Sequence, residues 1–153
     1  MIIRRILIFL LISLVIIQFI RPARNLGEAS SPSDITKTVH VPDTVLSMLQ
    51  TSCYDCHSNR TAYPWYTNIN PVGLWLHGHV KDGKEGLNFS DLSSFTKKKL
   101  DHRLKDIGEM VENGDMPLPS YTWIHTYSIL STAQRKLIKE WTESARKEVG
   151  YVE

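Results

Sequence analysis

The chain has 153 residues, with 18 basic side chains, 16 acidic side chains and two cysteines. Its formal charge of +2 arises at the N-terminal end, because residues 1–24 contain four arginines and no acidic residue. The remaining residues have 14 basic and 16 acidic side chains, a net charge of −2. This balance gives no sign of the basic surface that nucleic-acid-binding proteins need, and we expect no nucleic-acid partner.

The N-terminal segment is the most apolar part of the chain. Residues 6–20 contain only two polar side chains, and a helix of that length spans roughly 22 Å. A helix that starts at residue 2, with Arg4 and Arg5 snorkelling, spans roughly 28 Å and approaches the ~30 Å of a hydrocarbon core. We therefore predict that residues 2–20 form a transmembrane helix.

Residues 1–24 are accordingly predicted to be an uncleaved membrane anchor with its N terminus in the cytoplasm. The alternative is a cleaved signal peptide, which residues 21–24 disfavour because Arg-Pro-Ala-Arg is a poor small-x-small cleavage site. The predicted location is the cytoplasmic membrane, crossed once. In both cases the rest of the chain faces the periplasm or the cell exterior.

Residues 25–38 are rich in Ser, Pro, Gly and Asp and show no period, which is typical of a flexible tether. Residues 39–150 are enough for one small domain. The first predicted helix of this domain covers residues 43–50, where Val45, Met48 and Leu49 share one apolar face.

This helix leads into Cys53-Tyr54-Asp55-Cys56-His57, the Cys-x-x-Cys-His attachment signature of a c-type haem. Two thiols on one tight turn point the same way, so they can reach the two vinyl groups on one edge of a porphyrin. The imidazole after the second thiol can then bind the iron. We predict one haem c, attached through Cys53 and Cys56, with His57 as the proximal ligand.

Three other uses of the two cysteines compete with haem attachment. A disulfide would close a tiny, strained loop. A thioredoxin-like dithiol needs a βαβ setting, and no strand pattern precedes Cys53. A zinc site needs a further ligand from elsewhere in the chain, and the adjacency of Cys56 and His57 makes such a site awkward. The dithiol alternative corresponds to an exported protein without haem.

Three longer helices follow from caps and apolar spacing. The first begins with Asn70 as N-cap and Pro71, and runs to about residue 80. The second covers residues 96–113, and the third runs from the capping box of Ser131 and Gln134 to about residue 149. The stretches between the helices are predicted to be loops. Because no strand alternation is found, the domain is predicted to be all-α and wrapped around one haem.

Two of these loops carry features that bear on the haem. The aromatic residues of the stretch 63–66 either cover a haem edge or pack in the core. Met116 lies between Asp115 and Pro117, away from any apolar stripe, in a loop that prolines stiffen. Its thioether is a soft ligand that suits haem iron, so we predict Met116 as the distal ligand. The alternative is a buried loop hydrophobe.

Two histidines are less favoured candidates for the distal ligand. His79 lies on the apolar face of the helix predicted for residues 70–80. His125 lies in the stretch of residues 121–130 between Met116 and the last helix. Histidines in such places are usually structural, so both rank behind Met116.

The ordered set of motifs resembles the bacterial haem-binding domain family of monohaem c-type proteins. The matching pieces, which cover roughly residues 40–145, are Cys53-Tyr-Asp-Cys-His-Ser-Asn59, Tyr63-Pro-Trp-Tyr66, Asn70-Pro71, Trp75 with His79, Leu87-Asn-Phe-Ser90, Met116-Pro117, Tyr121, His125, Leu130-Ser131 and Trp141. The resemblance implies a cytochrome c-like helical fold in which Cys53, Cys56 and His57 hold the haem. It names no redox partner.

Two functions follow from the identity of the distal ligand. If Met116 binds the iron, the sixth position is closed to substrates. The chain is then predicted to be a membrane-anchored extracytoplasmic cytochrome that carries single electrons to an unknown redox partner and is not an enzyme. If the sixth position is open, the chain is a haem-based ligand sensor or weak peroxidase, with His79 or His125 as a distal acid or base.

Overall fold

The computed structural model describes residues 1–151, and helices make up the regular structure of this part of the chain. The α-helices are α1 (Ile2–Ile17), α2 (Ile35–Thr38), α3 (Asp43–Ser52), α4 (Tyr54–His57), α5 (Val72–Gly86), α6 (Lys97–Asn113), α7 (Pro119–Thr122) and α8 (Thr132–Val149). Two 3₁₀ turns cover Trp65–Asn68 and Thr126–Ser128. Within residues 1–151 no strand is found, so the prediction of an all-α fold is confirmed.

The core lies where α3, α6 and α8 meet. Leu49 of α3, Leu104 of α6 and Ile138 of α8 are fully buried there. Trp141 is buried beside them, and its indole N–H donates a 3.0 Å hydrogen bond to the carbonyl of His40. A buried tryptophan needs such a partner for its single donor. The chain before α3 is thereby fixed to the last helix.

The ends of α6 and α8 follow from local sequence. The hydroxyl of Thr96 caps the start of α6, and Gly114 ends that helix with a φ of 82°. Ser131 and Gln134 form the predicted capping box of α8, and Gly150 ends the helix with a φ of 63°. Glycine adopts this left-handed conformation without a steric penalty. The predicted bounds of both helices are confirmed to within one residue.

The start of α5 differs from the prediction that Asn70 is its N-cap. The Asn70 amide instead donates to the carbonyls of Ile17 and Ile20, at 2.7 and 2.9 Å. The N-cap position of α5 falls on Pro71, and no side chain caps the helix there. Asn70 therefore joins the end of α1 to the domain, a contact between distant residues that no local pattern reveals.

The N-terminal helix is shorter than the prediction of a membrane anchor requires. α1 ends at Ile17, and the amide of Gln18 exchanges hydrogen bonds of 2.9 and 3.0 Å with the backbone of Asn70. The 16 residues of α1 span roughly 24 Å, short of the ~30 Å of a hydrocarbon core. Among residues 1–151, no helix combines the length and the apolar character needed to cross a membrane. The predictions of a transmembrane helix at residues 2–20 and of a single-pass membrane protein are wrong.

Residues 25–38 were expected to be a flexible tether, and the structure corrects this expectation. The backbone N–H of Gly27 donates to the carbonyl of Asn59 at 2.8 Å, and the Asn25 amide donates to the carbonyl of Ser58 at 2.9 Å. Asp34 caps α2, and Ile35 is buried. The segment therefore packs along the loop that follows the Cys-x-x-Cys-His motif.

The pair of Arg146 and Asp101 is an ion pair that joins α8 to α6 at the edge of the core. Arg146 donates from Nε and Nη2 to the two carboxylate oxygens of Asp101, at 2.9 and 3.0 Å. The Asp101 side chain is only 12% exposed. Its hydrogen bonds with Arg146 hold the pKa of Asp101 below its usual range. The carboxylate form is therefore favoured in the folded chain.

Replacing Asp101 by alanine is expected to lower the free energy of unfolding at pH 7 by about 1.5–3 kcal/mol, the range for hydrogen bonds to charged groups. Because the folded pKa of Asp101 is depressed, its contribution is present above the unfolded pKa of about 3.9 and is lost as pH falls through the folded pKa. Denaturant unfolding at pH 7 and at pH values below 3.9 measures both effects.

The control is Glu140→Ala, which removes an exposed pair with Lys136 on α8. It is expected to change the free energy of unfolding by less than about 0.5 kcal/mol. The wild-type chain and the Asp101→Ala variant should converge in stability at low pH. A difference that persists unchanged there would rule out the ion pair as its source.

Candidate functional site

A cavity of about 610 Å³ opens between α4, α5, α6 and the loop before α7. Its volume lies within the range of small-molecule and cofactor pockets. Most of its lining is apolar, and these side chains are Leu87, Phe89, Ile107, Met110, Val111, Met116, Pro117, Leu118 and Tyr121. Five side chains of the Asp, Glu, Lys and Arg types also line it, namely Asp55, Asp82, Arg103, Asp106 and Glu109. The site therefore suits a large apolar molecule that carries a few charged groups.

The structure brings most of the predicted haem-binding residues to this cavity. Those that line it are Cys53, Cys56, His57, His79 and Met116. His125 does not line it. Residues from α4, α5 and the loop before α7 thus meet around one space, although 63 residues separate the first of them from the last.

His57 is held in one orientation by the segment that follows α5. Its Nδ1–H donates to the carbonyl of Leu87 at 3.1 Å, and its own carbonyl accepts from the N–H of Phe89 at 2.8 Å. Because a carbonyl can only accept, the proton is on Nδ1 and Nε2 has a free lone pair. Burial lowers the pKa of His57, which favours the neutral ring. A neutral imidazole fixed through its other nitrogen is the usual form of a metal ligand.

Cys53 and Cys56 are free thiols in this structure. Burial raises the pKa of Cys53 to about 12 and that of Cys56 to about 11. A redox-active dithiol depends on a lowered thiol pKa, so the environment does not favour the thioredoxin-like alternative. Within residues 1–151, no cluster of three or more His, Cys, Asp or Glu side chains is arranged to hold a metal ion, so the zinc alternative gains no support.

Gly83 brings α5 against the Cys-x-x-Cys-His turn. A Cβ added at Gly83 would lie 3.0 Å from the carbonyl oxygen of Cys56 and 3.2 Å from its Cβ. The sequence predicted a loop from residue 81, but α5 continues through Gly83 to Gly86. Glycine serves here for close helix packing and does not stop the helix.

Replacing Gly83 by alanine is therefore expected to be less favourable than the same change at Gly78, where an added Cβ meets nothing within 4 Å. Gly78→Ala should raise the free energy of unfolding by about 0.5–1 kcal/mol through helix propensity. The free energy of unfolding of Gly83→Ala should be about 1–3 kcal/mol lower than that of Gly78→Ala, because α4 has to move to make room for the added methyl group. Denaturant unfolding of both variants tests this difference, and equal gains would show that α5 does not touch α4 at Gly83.

The loop of residues 114–118, the Met116 loop, borders the cavity through Met116, Pro117 and Leu118. The backbone N–H groups of Asp115 and Met116 both donate to the carbonyl of Met110, at 2.9 and 3.2 Å. The Met116 side chain is half-buried and packs against the core. The start of the loop is therefore fixed to the end of α6, with Met116 at the cavity.

The two histidine alternatives to Met116 have different surroundings. His79 lines the cavity, and its Nδ1–H donates to the carbonyl of Trp75 at 3.0 Å. His125 is buried, and its Nε2 and Nδ1 each lie 2.6 Å from a tyrosine hydroxyl, those of Tyr66 and Tyr127. Both nitrogens of His125 are thus engaged away from the cavity, which does not fit a distal ligand.

Some residues of the site were not singled out as site residues from the sequence. Tyr121 lines the cavity and donates its hydroxyl to Asp55 at 2.7 Å. Arg103 also lines it and pairs with Asp106 at 2.9 Å. In contrast, the aromatic stretch 63–66 does not reach the cavity lining. The sequence indicates a role at the site only for Asp55 and Tyr121. Asp55 lies between the two cysteines, and Tyr121 lies five residues after Met116.

The chain was compared with known families and proteins. The sequence model of a family described as a haem-binding domain matches residues 12–144. No curated protein and no solved structure matches the chain.

Proposed function

The chain belongs to the haem-binding domain family, and from that premise we propose that it is a monohaem c-type cytochrome that carries single electrons. Its haem is attached covalently through Cys53 and Cys56, with His57 as proximal and Met116 as distal ligand. The observation that supports this most is the meeting of these four residues around one cavity of about 610 Å³. Bound haem supplies one-electron chemistry at its iron.

The residues of the cavity fit such a group. The apolar lining matches the porphyrin ring, and His57 presents Nε2 because its Nδ1–H is bound to Leu87. Among the described residues that line the cavity, Arg103 is the one lysine or arginine. We assign it to a haem propionate, with Asp106 holding the guanidinium at 2.9 Å.

Electron transfer is favoured over catalysis by the Met116 loop. Two backbone hydrogen bonds to Met110 hold the start of this loop, and Met116 is packed against the core. A thioether kept at the cavity in this way closes the sixth position of the iron to substrates. It also raises the reduction potential relative to harder ligands.

A ligand sensor or weak peroxidase with an open sixth position is the second candidate. The observation in its favour is that His79 also lines the cavity, where its imidazole can exchange a proton with a bound ligand. His125 no longer fits this role, since Tyr66 and Tyr127 engage both of its nitrogens.

An absorption spectrum of the full chain, made in cells with a haem-attachment system, distinguishes these functions. We expect haem that resists extraction by acidified acetone, and an oxidised spectrum with the weak far-red band of an iron–sulfur bond. Haem that stays attached without this band, together with rapid binding of carbon monoxide to the reduced form, would favour the sensor or peroxidase. Colour that extracts completely would contradict covalent attachment.

A further inference from the structure

A hydrogen bond connects two elements that border the cavity, one beside each of the proposed axial ligands. Tyr121 lies on α7, just after the Met116 loop. Its hydroxyl donates to Oδ2 of Asp55 at 2.7 Å. Asp55 lies between the two cysteines on α4. Both side chains line the cavity. The bond therefore links the Cys-x-x-Cys-His turn to α7, which follows directly after the Met116 loop.

The backbones of these two elements do not pack against each other. No Cα atom of α7 lies within 8 Å of a Cα atom of α4. The Tyr121 side chain is long enough to bridge the gap between the backbones of α7 and α4. The contact between α4 and α7 is therefore made through side chains, and the bond between Tyr121 and Asp55 is its polar component.

Tyr121 is fixed on its own side of the cavity. Its backbone N–H donates to the carbonyl of Leu118, the last residue of the Met116 loop, at 2.9 Å. Its ring stacks on His125 with centroids 4.3 Å apart and planes 12° apart. His125 is in turn held by the hydroxyls of Tyr66 and Tyr127. The hydroxyl of Tyr121 is therefore positioned before it meets its partner.

Asp55 is fixed on the opposite side. Its Oδ1 accepts from the N–H of Ala62 at 3.1 Å, and its carbonyl accepts from the hydroxyl of Thr61 at 2.6 Å. The Oδ2 atom is left for Tyr121. A hydrogen bond between a hydroxyl and a carboxylate is about twice as strong as one between neutral groups, and here both partners are held in place.

We propose that Asp55 and Tyr121 form a clamp that holds the Met116 loop against the cavity, with Tyr121 as the positioning residue for Met116. The start of the loop is bound to α6 through the carbonyl of Met110, and the clamp fixes its other end to α4. Loss of the clamp frees that end, so that Met116 leaves the cavity more often. The part of this inference that concerns ligation rests on the proposed function.

The test compares haem-loaded full chains that differ by one atom or group. Tyr121→Phe removes the hydroxyl and keeps the ring on His125. Asp55→Asn removes the charge and keeps an oxygen acceptor for Tyr121. Tyr63→Phe is the matched control, because it removes a tyrosine hydroxyl that bonds to the N–H of Asn25 instead of to Asp55 or His125, from a residue that does not line the cavity. Two readouts are taken: hydrogen exchange of the backbone amides of residues 115–122, and the rate of carbon monoxide binding to the reduced form.

Tyr121→Phe is expected to speed both amide exchange in this segment and carbon monoxide binding by about tenfold, the factor that matches loss of a charge-assisted hydrogen bond. Asp55→Asn should have a smaller effect, and Tyr63→Phe should leave both rates near those of the wild type. Exchange in Tyr121→Phe that equals the control overturns the clamp. Faster exchange in a protein whose wild type lacks the iron–sulfur band supports the clamp on the loop and contradicts only Met116 as ligand.

Discussion

Replacing both Cys53 and Cys56 by alanine is expected to abolish covalent haem attachment, so that all haem colour extracts into acidified acetone. The thiols are the only two in the chain, and no other side chain can form a thioether with a vinyl group. Each single variant keeps one thiol and should retain part of the attached haem. The mass of the intact chain, measured before and after extraction, reports how much haem remains bound.

A control for this experiment is Thr51→Ala, an exposed side chain at the end of α3 just before the motif. It should bind as much covalent haem as the wild type, since its hydroxyl bonds to the carbonyl of Ser47 within α3. Haem that remains attached to the double cysteine variant after extraction would contradict the assignment of Cys53 and Cys56.

Replacing Met116 by alanine is expected to remove the far-red band of the oxidised protein and to let carbon monoxide bind the reduced form quickly. The change opens the sixth position that the thioether is proposed to fill. The reduction potential should fall by about 59 mV for each factor of ten by which the sulfur prefers reduced over oxidised iron. Spectroscopic redox titration measures this shift together with the band.

Met110→Ala is the matched control, because Met110 lines the same cavity from α6 and is 42% exposed. It removes an identical side chain from the lining and should leave the band and the potential near those of the wild type. If Met110→Ala abolishes the band and Met116→Ala keeps it, the distal ligand lies on α6 and not in the Met116 loop.

Local sequence was sufficient to predict the long helices of the domain. The capping box of Ser131 and the spacing of Leu100, Leu104 and Val111 depend on residues within one or two turns of each other. The errors arose where distant residues decide the outcome. Asn70 binds the end of α1, and Gly83 packs on Cys56, so neither serves as the cap or stop that its neighbours suggested.

The candidate site likewise combines residues that the local sequence indicates with residues that only the fold brings together. The sequence indicates Cys53, Cys56 and His57 because haem attachment requires them within one turn, and Met116 because of its prolines. The structure places all four at the cavity, and their roles towards haem belong to the proposal. The link between Asp55 and Tyr121 joins residues 66 positions apart and has no signature in sequence. Arg103 resembled any other charge on a helix until the fold placed it at the cavity.

The hydrogen bond from His57 to the carbonyl of Leu87 has an electronic consequence for a bound haem. A histidine that donates Nδ1–H to an acceptor would be a more basic ligand that stabilises oxidised iron, whereas the Met116 sulfur, in its proposed role, would stabilise reduced iron. Because the carbonyl of Leu87 holds the ring of His57 and the N–H of Phe89 holds its backbone, little of the protein would have to reorganise when bound iron changes charge. In the proposed cytochrome, the short segment after α5 therefore influences both the driving force and the rate of electron transfer.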